Sequence, residues 1–591
     1  MRAKSTQEGG CGIRHWIIAF LCFVAVLFFS PALARSYAVD LSIDFSQITG
    51  PAERRATGFE WIFPMNAAIY PYVAQLKPNI IKDPWGNEQV AKDTLGAHKV
   101  QWLVGNAVIS QGWTPYQDWA RWQKWVTDYA DSFPKTESYE WIIWQEPNHG
   151  DPTVWPGTQD QFFETWKIAV QIIRSLRPND PIVGPSPVPF DLNYLEAFLL
   201  YAKANNVLPD VLSWHELWII GDDPRYGTHG YTPDLIPEHV AAIKQFMADN
   251  GISINKFDIT EYQGDKDNYR PGPTVAFIAD IERAGIEGTK GNWAEANQIE
   301  GLVTDPNNPQ PRSIWWVYKR YADMTGNLVT TTFASAINGL GSYDASTGTA
   351  MVLIGNQNGP GAKTIQLNNI PAALLSNGRV AATVEQIPDT ETAALSAPVV
   401  ISQSDQIVNS GSLNVPIANF GAWEAYAITL KKPAATVNPI KSAILSGATV
   451  AVTFDTTNAS ANDWIGVYKV GSADTAFLSW KWVNNAAGTA PTILSTNGTV
   501  NLSVPNTSDS YEVRYFAKGG YQLMGSEAVT TTSSSKPGDL NGDGKVDIFD
   551  YNLLLANFGK TGAAGFSPAD IDKNGKVDIF DYNVLVGNFG K

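Results

Sequence analysis

The chain has 591 residues, which is too long for one hydrophobic core, so we expect several domains. Its hydrophobic share of 44% is that of a globular protein, and the formal charge of −16 disfavours nucleic acid, because phosphate binding requires lysine and arginine. The 21 tryptophans are numerous. Tryptophan often forms flat apolar platforms for sugar rings, and the alternative is that most of these residues lie in the core.

Residues 1–34 have the pattern of a secretory signal peptide. Basic residues precede the apolar run WIIAFLCFVAVLFF, which starts at Trp16, and small residues follow at 32–34. The run is short for a membrane span, so we expect cleavage after Ala34 rather than a retained anchor, and no membrane contact afterwards. Cys11 and Cys22 both lie in this leader. We therefore expect a secreted protein, extracellular or attached to a cell surface, without disulfides.

Residues 57–325 alternate short apolar runs with amphipathic stretches of helical periodicity. The candidate strands are GFEWIF, NIIKDPW, KVQWLVGN, YEWIIWQEP, PIVGPSP, VLSWHEL, KFDITEY and IEGTKGNW. Eight β-then-α units over this length predict a (β/α)8 TIM barrel.

The residues after the barrel are rich in alternating β patterns. Residues 326–432 predict a β-sandwich, and the alternating YAVDLSIDF within residues 35–56 is a candidate edge strand of it. Residues 438–532 have the strand spacing of an immunoglobulin-like β-sandwich, which we expect to be a spacer; the alternative is carbohydrate binding. Residues 533–538 form a linker.

Residues 539–591 contain an internal duplication, DLNGDGKVDIFDYNLLLANFGK followed by DIDKNGKVDIFDYNVLVGNFGK. Each copy has oxygen-bearing side chains at positions 1, 3, 5, 9 and 12 of a loop, a backbone carbonyl at position 7 and a turn glycine at position 6, as in a calcium loop. The predicted ligands are Asp539, Asn541, Asp543, Lys545, Asp547 and Asp550, then Asp570, Asp572, Asn574, Lys576, Asp578 and Asp581. The alternative is a solvated acidic tail.

Position 12 is aspartate in both loops, whereas an ordinary EF-hand has glutamate there. In this respect the segment resembles a type I dockerin, a small α-helical module of paired EF-hand-like motifs. The resemblance implies two structural calcium ions and a cohesin partner on a scaffold or cell-surface protein. Ile548-Phe549 and Ile579-Phe580 stand where a Ser-Thr pair is common, and their identity in both copies suggests a two-fold-symmetric contact surface.

Five acids stand at the expected carboxyl ends of barrel strands, where active sites of this fold lie. They are Glu60, Asp83, Glu146, Glu216 and Glu261. Glycoside cleavage requires two carboxyl groups and no metal. We expect Glu216 to face away from the cavity, because strand neighbours alternate, and keep it as a reserve carboxylate.

WQEPN and DITEY resemble the two catalytic segments of retaining (β/α)8 glycosidases of clan A. Together with LSWHEL and the trailing β-sandwich, they are most similar to glycoside hydrolase family 39. The resemblance implies that Glu146 is the general acid/base and Glu261 the nucleophile, with no cofactor for catalysis. The acid role predicts a raised pKa for Glu146.

The resemblance also implies residues that contact the substrate. Gln145 occupies the place of an asparagine that usually contacts the sugar 2-hydroxyl, and Trp293 matches a sugar-stacking tryptophan. His215 and Tyr262 are candidates to orient Glu261, and Trp85 is a further stacking candidate.

The sequence thus predicts a secreted retaining glycoside hydrolase that cleaves a polysaccharide by double displacement and attaches to a cohesin through its dockerin. One rival is a non-catalytic carbohydrate-binding protein with an inactive barrel. A second is a transglycosylase.

Overall fold

The computed structural model describes most of the chain, and the account below is confined to these residues. They are 39–60, 66–84, 86–217, 233–264, 268–291, 301–333, 337–357, 359–376, 378–433, 438–446, 448–456, 459–484, 494–505, 509–531, 536–541 and 544–591. The expected signal peptide lies outside them. Within these ranges, every helix is too short or too polar to span a bilayer.

Eight parallel strands close into a barrel, with each strand paired to the next and the last to the first. They are β2 (Gly58–Glu60), β3 (Ile80–Lys82), β4 (Lys99–Leu103), β5 (Glu140–Ile142), β6 (Ile182–Pro185), β7 (Val211–Glu216), β8 (Lys256–Tyr262) and β9 (Glu287–Lys290). Each falls within one of the eight runs named from the sequence, so the TIM-barrel prediction is confirmed. The strands are buried almost throughout, as expected when helices cover the outside of a parallel barrel.

Helices surround the barrel, and most bury one face, whereas α7 (Pro271–Ala284) is buried on nearly all sides. They are α1 (Tyr70–Ala74), α2 (Asn106–Ser110), α3 (Trp119–Asp131), α4 (Gln159–Leu176), α5 (Leu192–Ala204), α6 (Ile236–Asp249), α7 (Pro271–Ala284) and α8 (Ser313–Asp323). In α4, a capping box starts the helix: the Thr158 hydroxyl accepts from Gln161 N–H, and the Gln161 side chain accepts from Thr158 N–H. Its buried residues, such as Phe162 and Trp166, recur at helical spacing and pack into the barrel core.

A nine-stranded sheet follows the barrel in sequence, in the order β15-β14-β17-β12-β11-β10-β1-β13-β16. Its strands are β1 (Leu41–Pro51), β10 (Asn327–Phe333), β11 (Ile337–Asp344), β12 (Thr349–Asn356), β13 (Gly361–Asn368), β14 (Arg379–Ile387), β15 (Val399–Ile407), β16 (Leu413–Phe420) and β17 (Ala425–Lys431).

The N-terminal strand β1 is an interior strand of this sheet, so its prediction as an edge strand is wrong. It pairs antiparallel with β10 on one side and parallel with β13 on the other. Leu41, Ile43 and Phe45 are buried on one face. Alternating apolar residues in the sequence indicate that one face of a strand is buried, but they do not indicate whether the strand pairs on one side or on both.

Residues 438–531 form two four-stranded sheets, antiparallel except for the parallel pairing of β18 with β25. One has the order β22-β19-β18-β25 and the other β21-β20-β23-β24. Their strands are β18 (Ile440–Ser446), β19 (Thr449–Asp455), β20 (Trp464–Lys469), β21 (Ser479–Trp482), β22 (Asn497–Ser503), β23 (Tyr511–Ala517), β24 (Gln522–Ala528) and β25 (Thr530–Thr531). Alternate residues of both sheets share one core, including Val452, Val467 and Val513. This is the packing of a β-sandwich.

Two helices of equal length occupy the C-terminal repeats, α9 (Ile548–Asn557) and α10 (Ile579–Asn588). Asp547 and Asp578 cap them in the same way, each with a reciprocal bond to the aspartate three residues later. A small apolar core that includes Leu554 and Leu585 joins the two repeats.

Candidate active site and calcium loops

Glu146 lies just beyond β5, at the carboxyl end of the barrel. Its backbone has φ 55°, in the left-handed region that residues other than glycine rarely adopt, and its N–H donates to Ser186 O at 2.7 Å. Pro147 follows and prevents the strand from continuing. The strand therefore ends with the Glu146 side chain directed into the barrel mouth, where it is 13% exposed.

Glu261 reaches the same mouth through a bulge in β8. Trp214 is paired with Ile259 and the next residue, His215, with Glu261, so Thr260 is an extra residue on the β8 side. A bulge of this kind redirects the following side chain. It places Glu261 beside His215, and the Glu261 side chain is only 5% exposed.

Glu146, His215 and Glu261 form a compact group whose nearest side-chain oxygen and nitrogen atoms all lie within 4.8 Å of one another. His215 Nδ1 lies 3.0 Å from Glu146 Oε1 and 3.6 Å from Glu261 Oε2. Glu146 and Glu261 thus bring oxygens close together in the barrel mouth, and two carboxyl groups in one cavity are what glycoside cleavage requires.

Lys82, at the end of β3, is the buried cation of this site, and the sequence analysis overlooked it. Its Nζ lies 2.7 Å from Glu60 Oε1 and 2.7 Å from Glu261 Oε1. These two carboxylates raise the pKa of Lys82 well above its usual value, against the effect of burial, so it stays protonated. A lysine inside the apolar run NIIKDPW was the available signal, because fully buried lysine is almost always paired.

The ammonium group of Lys82 also donates to Gln145 Oε1 at 3.0 Å and to Thr260 O at 3.3 Å. It thereby connects the residue before Glu146 with the bulge before Glu261. Glu146, His215 and Glu261 offer the kinds of atoms that also bind a metal ion. The Lys82 ammonium is already bonded to Glu261, however, and its positive charge would repel a second cation there.

Beneath these groups, three hydroxyls connect consecutive strands. Ser186 Oγ and Ser213 Oγ are 2.7 Å apart, and Thr260 Oγ1 donates to Ser186 Oγ at 3.1 Å. All three residues are fully buried. Their bonds hold the ends of β6, β7 and β8 in a fixed register below the carboxylates.

The pKa of Glu146 is lowered, which contradicts the raised pKa expected of it. Burial raises it, but the hydrogen bond and the charge of His215 lower it further, and the charges of His149 and Lys82 act in the same direction. The expectation considered only the apolar surroundings of WIIWQEP, whereas the cationic neighbours come from other strands.

Two residues of the predicted site face the helices instead of the cavity. Tyr262, next to Glu261, donates from its hydroxyl to Ala56 O at 2.7 Å and lies 2.6 Å from the Tyr318 hydroxyl. It is therefore directed away from Glu261, and the role proposed for it there is wrong. Glu216 accepts from Trp214 Nε1 and contacts His239 Nδ1, both at 2.7 Å, so it faces away from the cavity as expected from alternation.

The remaining sequence candidates divide into two groups. Glu60 is the partner of Lys82, and Asp83 follows Lys82 at φ 50°. Burial and the charge of Glu60 raise the pKa of Asp83 to about 7. Trp85 and Trp293, the two stacking candidates, lie outside the described residues.

The second calcium loop gathers carboxylates from three positions. Oxygens of Asp570, Asp572 and Asp581 lie within 4.8 Å of one another, and Asp570 Oδ1 is buried without a hydrogen-bond partner. An orphaned buried carboxylate oxygen beside two other acids fits a hard cation, which supplies the missing charge. Asn574, Lys576 and Asp578 complete the predicted ligand set.

The first loop has the same construction where it is described. Asp550 is fully buried and accepts from the N–H groups of Leu540, Asn541 and Asp547. Although burial raises the pKa of this carboxyl, those backbone bonds lower it further, so Asp550 stays ionised and available to a cation. Asp539, Lys545 and Asp547 lie around it, whereas Asp543 falls outside the described residues.

The molecule thus combines a (β/α)8 barrel that carries a close carboxylate pair with a paired calcium-loop module. Residues 537–589 match the dockerin type I domain family. This segment is therefore a type I dockerin domain, as the sequence predicted.

The chain is also similar to two curated proteins. The 3-O-beta-L-arabinopyranosyl-alpha-L-arabinofuranosidase of Bifidobacterium pseudocatenulatum is 24% identical over 265 residues, which cover 42% of this chain and 26% of the relative. The 3-O-alpha-D-galactosyl-alpha-L-arabinofuranosidase of Bifidobacterium longum subsp. longum is 22% identical over 324 residues, which cover 52% of this chain and 25% of the relative. The matched part of the chain thus spans about a quarter of the length of these relatives.

Among solved structures, N2152 from Neocallimastix frontalis is similar in fold. Its TM-score is 0.54 at 22% sequence identity, and the match covers 67% of this chain and 100% of that one. At this level of identity the likeness concerns the fold.

Proposed function

We propose that the protein is a retaining glycoside hydrolase that cleaves a polysaccharide by double displacement. The observation that carries the proposal is the carboxylate pair Glu146 and Glu261, whose oxygens approach within 4.8 Å across the barrel mouth. This close approach supports direct attack of one carboxylate on the anomeric carbon, as in retaining enzymes, in preference to attack by a water molecule held between carboxylate and sugar.

Glu261 is the nucleophile in this mechanism. Its oxygen Oε1 accepts a bond from the Lys82 ammonium at 2.7 Å, which orients the carboxyl group for attack. As the glycosidic bond breaks, Glu261 forms a covalent bond to the sugar carbon.

Glu146 is the general acid and then the general base. It gives a proton to the departing oxygen in the first step and removes one from the incoming water in the second, as that water displaces Glu261 from the sugar carbon. His215 Nδ1, at 3.0 Å from Glu146, orients this carboxyl and lowers its pKa, so we expect the protonated form that starts the reaction to be populated at acidic pH. Gln145, held by Lys82 through its carbonyl oxygen, is positioned to contact a sugar hydroxyl.

The substrate class we propose includes α-L-arabinofuranosides on a plant-type polysaccharide, on the basis of the activities named for the two curated relatives. The dockerin would bind a cohesin and so hold the secreted enzyme on a scaffold or cell surface. Two calcium ions, one in each loop, would stabilise the module.

Trapping of the covalent intermediate tests the proposal. Activated 2-deoxy-2-fluoro glycosides, including the arabinofuranosyl compound, are incubated with the full mature chain, and peptide mass spectrometry locates the label. We expect the label on Glu261 and none in Glu261→Gln. A label on Glu216 would contradict the assignment of the strands.

The rival is a barrel that binds sugar without cleaving it. Glu146→Gln separates the two readings, because it abolishes turnover of a natural glycoside in an enzyme and leaves sugar binding almost unchanged in either case. Turnover that survives this substitution would overturn the acid/base role. Product analysis at high acceptor concentration distinguishes a hydrolase from a transglycosylase.

A further inference from the structure

The outer face of one sheet in the C-terminal β-sandwich is aromatic. We define the aromatic face as Trp464, Phe477, Trp480, Trp482, Phe516 and Tyr521, on or beside the sheet β21-β20-β23-β24. Trp464 and Phe516 are buried and stack at 4.5 Å with 22° between their planes. Phe477, Trp480 and Trp482 cover them and are partly exposed, and Tyr521 is 41% exposed.

These aromatic residues are not part of the sandwich core. Along β20, Ile465 and Val467 point to the core between the sheets, whereas Trp464 and Tyr468 belong to a separate cluster on the other face. Residues of a strand alternate between the two faces, so the aromatic cluster lies on the outside of the module.

The opposite sheet of the same module provides an internal comparison. Its strands β19 and β22 place small polar residues on the outer face, among them Thr453, Thr499 and Asn501. A sheet with one solvent-facing side normally has this polar character. The sandwich fold therefore does not itself require an aromatic outer face, and the asymmetry between its two sheets calls for a ligand or partner.

The geometry of the partly exposed tryptophans suits an extended ligand. Trp480 and Trp482 project from the same side of β21, which is the edge strand, and their ring centroids are 5.1 Å apart at an interplanar angle of 89°. Trp480 lies opposite Gly466, which has no side chain, and Trp482 lies opposite Trp464. The two indoles thus form an open corner along the margin of the sheet.

The lack of charge on the aromatic face restricts what this corner binds. Nucleic acid bases also stack on aromatic rings, but the six residues of this face include no lysine or arginine to hold a phosphate backbone. An uncharged chain of sugar rings presents apolar C–H faces to the indoles and hydroxyls to water, which matches a platform of this kind.

We propose that the aromatic face is a binding site for an uncharged polysaccharide, and that the module holds the chain on its substrate. The choice of sugar as the ligand rests on the function proposed for the barrel. Under this proposal the module binds carbohydrate, which was the alternative to its expected role as a spacer.

The test measures binding of the full chain to insoluble polysaccharides. The parent carries Glu261→Gln, so that the barrel does not consume the probe, and the probes are insoluble arabinoxylan, debranched arabinan and microcrystalline cellulose. Bound protein is quantified after sedimentation. We expect binding to at least one probe, and a loss of affinity of about tenfold or more in Trp480→Ala/Trp482→Ala, because this variant removes both partly exposed indoles of the edge strand.

The matched control is Thr499→Ala/Asn501→Ala, on the outer face of the opposite sheet, which should bind like the parent. Thermal melting checks each variant for folding. If the double tryptophan variant does not fold, Tyr521→Ala serves in its place, because this side chain is 41% exposed. A folded aromatic-face variant that binds like the parent, or a parent that binds none of the probes, would overturn the proposal.

Failure of the barrel and failure of the module are distinguishable. The same tryptophan substitutions in a chain with intact Glu261 should leave turnover of a small aryl glycoside unchanged. Labelling of Glu261 without binding that depends on the aromatic face would refute only the module's role. Binding that depends on the aromatic face without labelling of Glu261 would refute only the hydrolase.

Discussion

Lys82 brings a positive charge into a pocket of carboxylates at the barrel mouth, and this single residue affects both stability and chemistry. Glu60 and Glu261 are each 2.7 Å from its ammonium, and both are nearly fully buried. Removal of the cation would leave two buried carboxylates facing each other. Breaking such a buried pair typically costs about 3–5 kcal/mol.

We therefore expect Lys82→Met to lower the free energy of unfolding of the barrel by about 3–5 kcal/mol and to abolish turnover. In Lys82→Met/Glu60→Gln, the second substitution removes one of the two uncompensated charges. It should restore part of the stability, measured by thermal melting, but no activity. Equal melting temperatures of the single and double variants would contradict this account. Recovery of activity in the double variant would show that Lys82 is needed only for stability.

His215 determines the pH at which Glu146 loses its proton. Since its hydrogen bond and charge lower the pKa of Glu146, His215→Phe should raise this pKa toward the value that burial favours. The alkaline limb of the pH profile of kcat/KM reports the general acid of the free enzyme, so we expect this limb to move to higher pH.

His239→Phe is the control for this shift. His239, on α6, also contacts a glutamate: its Nδ1 lies 2.7 Å from Glu216 Oε1, on the side of β7 that faces the helices. Its replacement should leave the alkaline limb where it is. An unchanged limb in His215→Phe would show that the pKa of Glu146 is controlled from elsewhere.

At the residue scale, the sequence placed Glu146, Glu261 and His215 at strand ends, because these positions follow from the barrel periodicity, and the structure brings the three side chains together. It missed Lys82 and misplaced Tyr262 for a common reason. The direction of a side chain and its partners on other strands depend on register, and register includes a bulge at Thr260 that no local pattern reveals.

The strands of the barrel also carry a buried polar cluster at their opposite, amino-terminal ends. Gln101 donates from Nε2 to Glu140 Oε2 at 3.0 Å and to Asp258 Oδ2 at 2.6 Å. Burial raises the pKa of Asp258 to about 7, and the charge of Glu287 acts in the same direction. This cluster lies away from the barrel mouth, so we expect the proton on Asp258 to affect the stability of the barrel and not its turnover.

The raised pKa of Asp258 predicts that the barrel loses stability as pH rises. The folded state keeps the proton up to about pH 7, whereas the unfolded chain releases it near the ordinary aspartate pKa of 3.8, so the unfolded state binds fewer protons between these values. Unfolding free energy should fall by at most about 1.4 kcal/mol per pH unit across this window.

Asp258→Asn should reduce this slope, measured as melting temperature against pH between about 4 and 7, and a remaining slope is expected from Asp83, whose pKa is also raised to about 7. Asp128→Asn, on the exposed face of α3, is the control and should keep the slope of the parent. A slope in Asp258→Asn equal to that of the parent would assign it to other groups.

At the element scale, all eight barrel strands and both repeat helices could be placed from the sequence, because period and turn residues determine them locally. The position of β1 could not. Its partners β10 and β13 are distant in the chain, and pairing between distant strands has no local signature.

At the scale of the whole molecule, we expect the dockerin to require calcium for its fold and the barrel to function without it. Each loop of the dockerin has a buried aspartate at position 12, Asp550 in one and Asp581 in the other. Ligation of calcium by these loops stabilises their fold, so removal of calcium should unfold the C-terminal repeats and leave glycosidase turnover unchanged.

Calorimetric titration of the full chain with calcium tests this division. We expect two bound ions in the parent and one in either Asp550→Ala or Asp581→Ala, with turnover of an aryl glycoside equal in all three. Retention of two ions in either variant would contradict the ligand sets. Loss of turnover on chelation would place a calcium requirement in the barrel as well.

At this scale, composition and the repeat predicted a multidomain chain with a dockerin, because the calcium loops have fixed spacing in sequence. The asymmetry of the C-terminal sandwich was not predicted. Trp480 and Trp482 alternate with polar residues as core tryptophans also do, and only the assembled sheets reveal that they lie on the outer face.

The interior place of β1 has a consequence for the order of folding. The chain makes β1 first, but its neighbours β10 and β13 begin only at Asn327 and Gly361, with the whole barrel synthesised in between. Pro51, at the end of β1, pairs with Asn327, so this pairing closes one long loop that contains the barrel. Closing such a loop costs less entropy once the enclosed segment is compact and its ends are near each other. The barrel should therefore fold before the nine-stranded sheet is completed, and the first strand made would be among the last to find its partners.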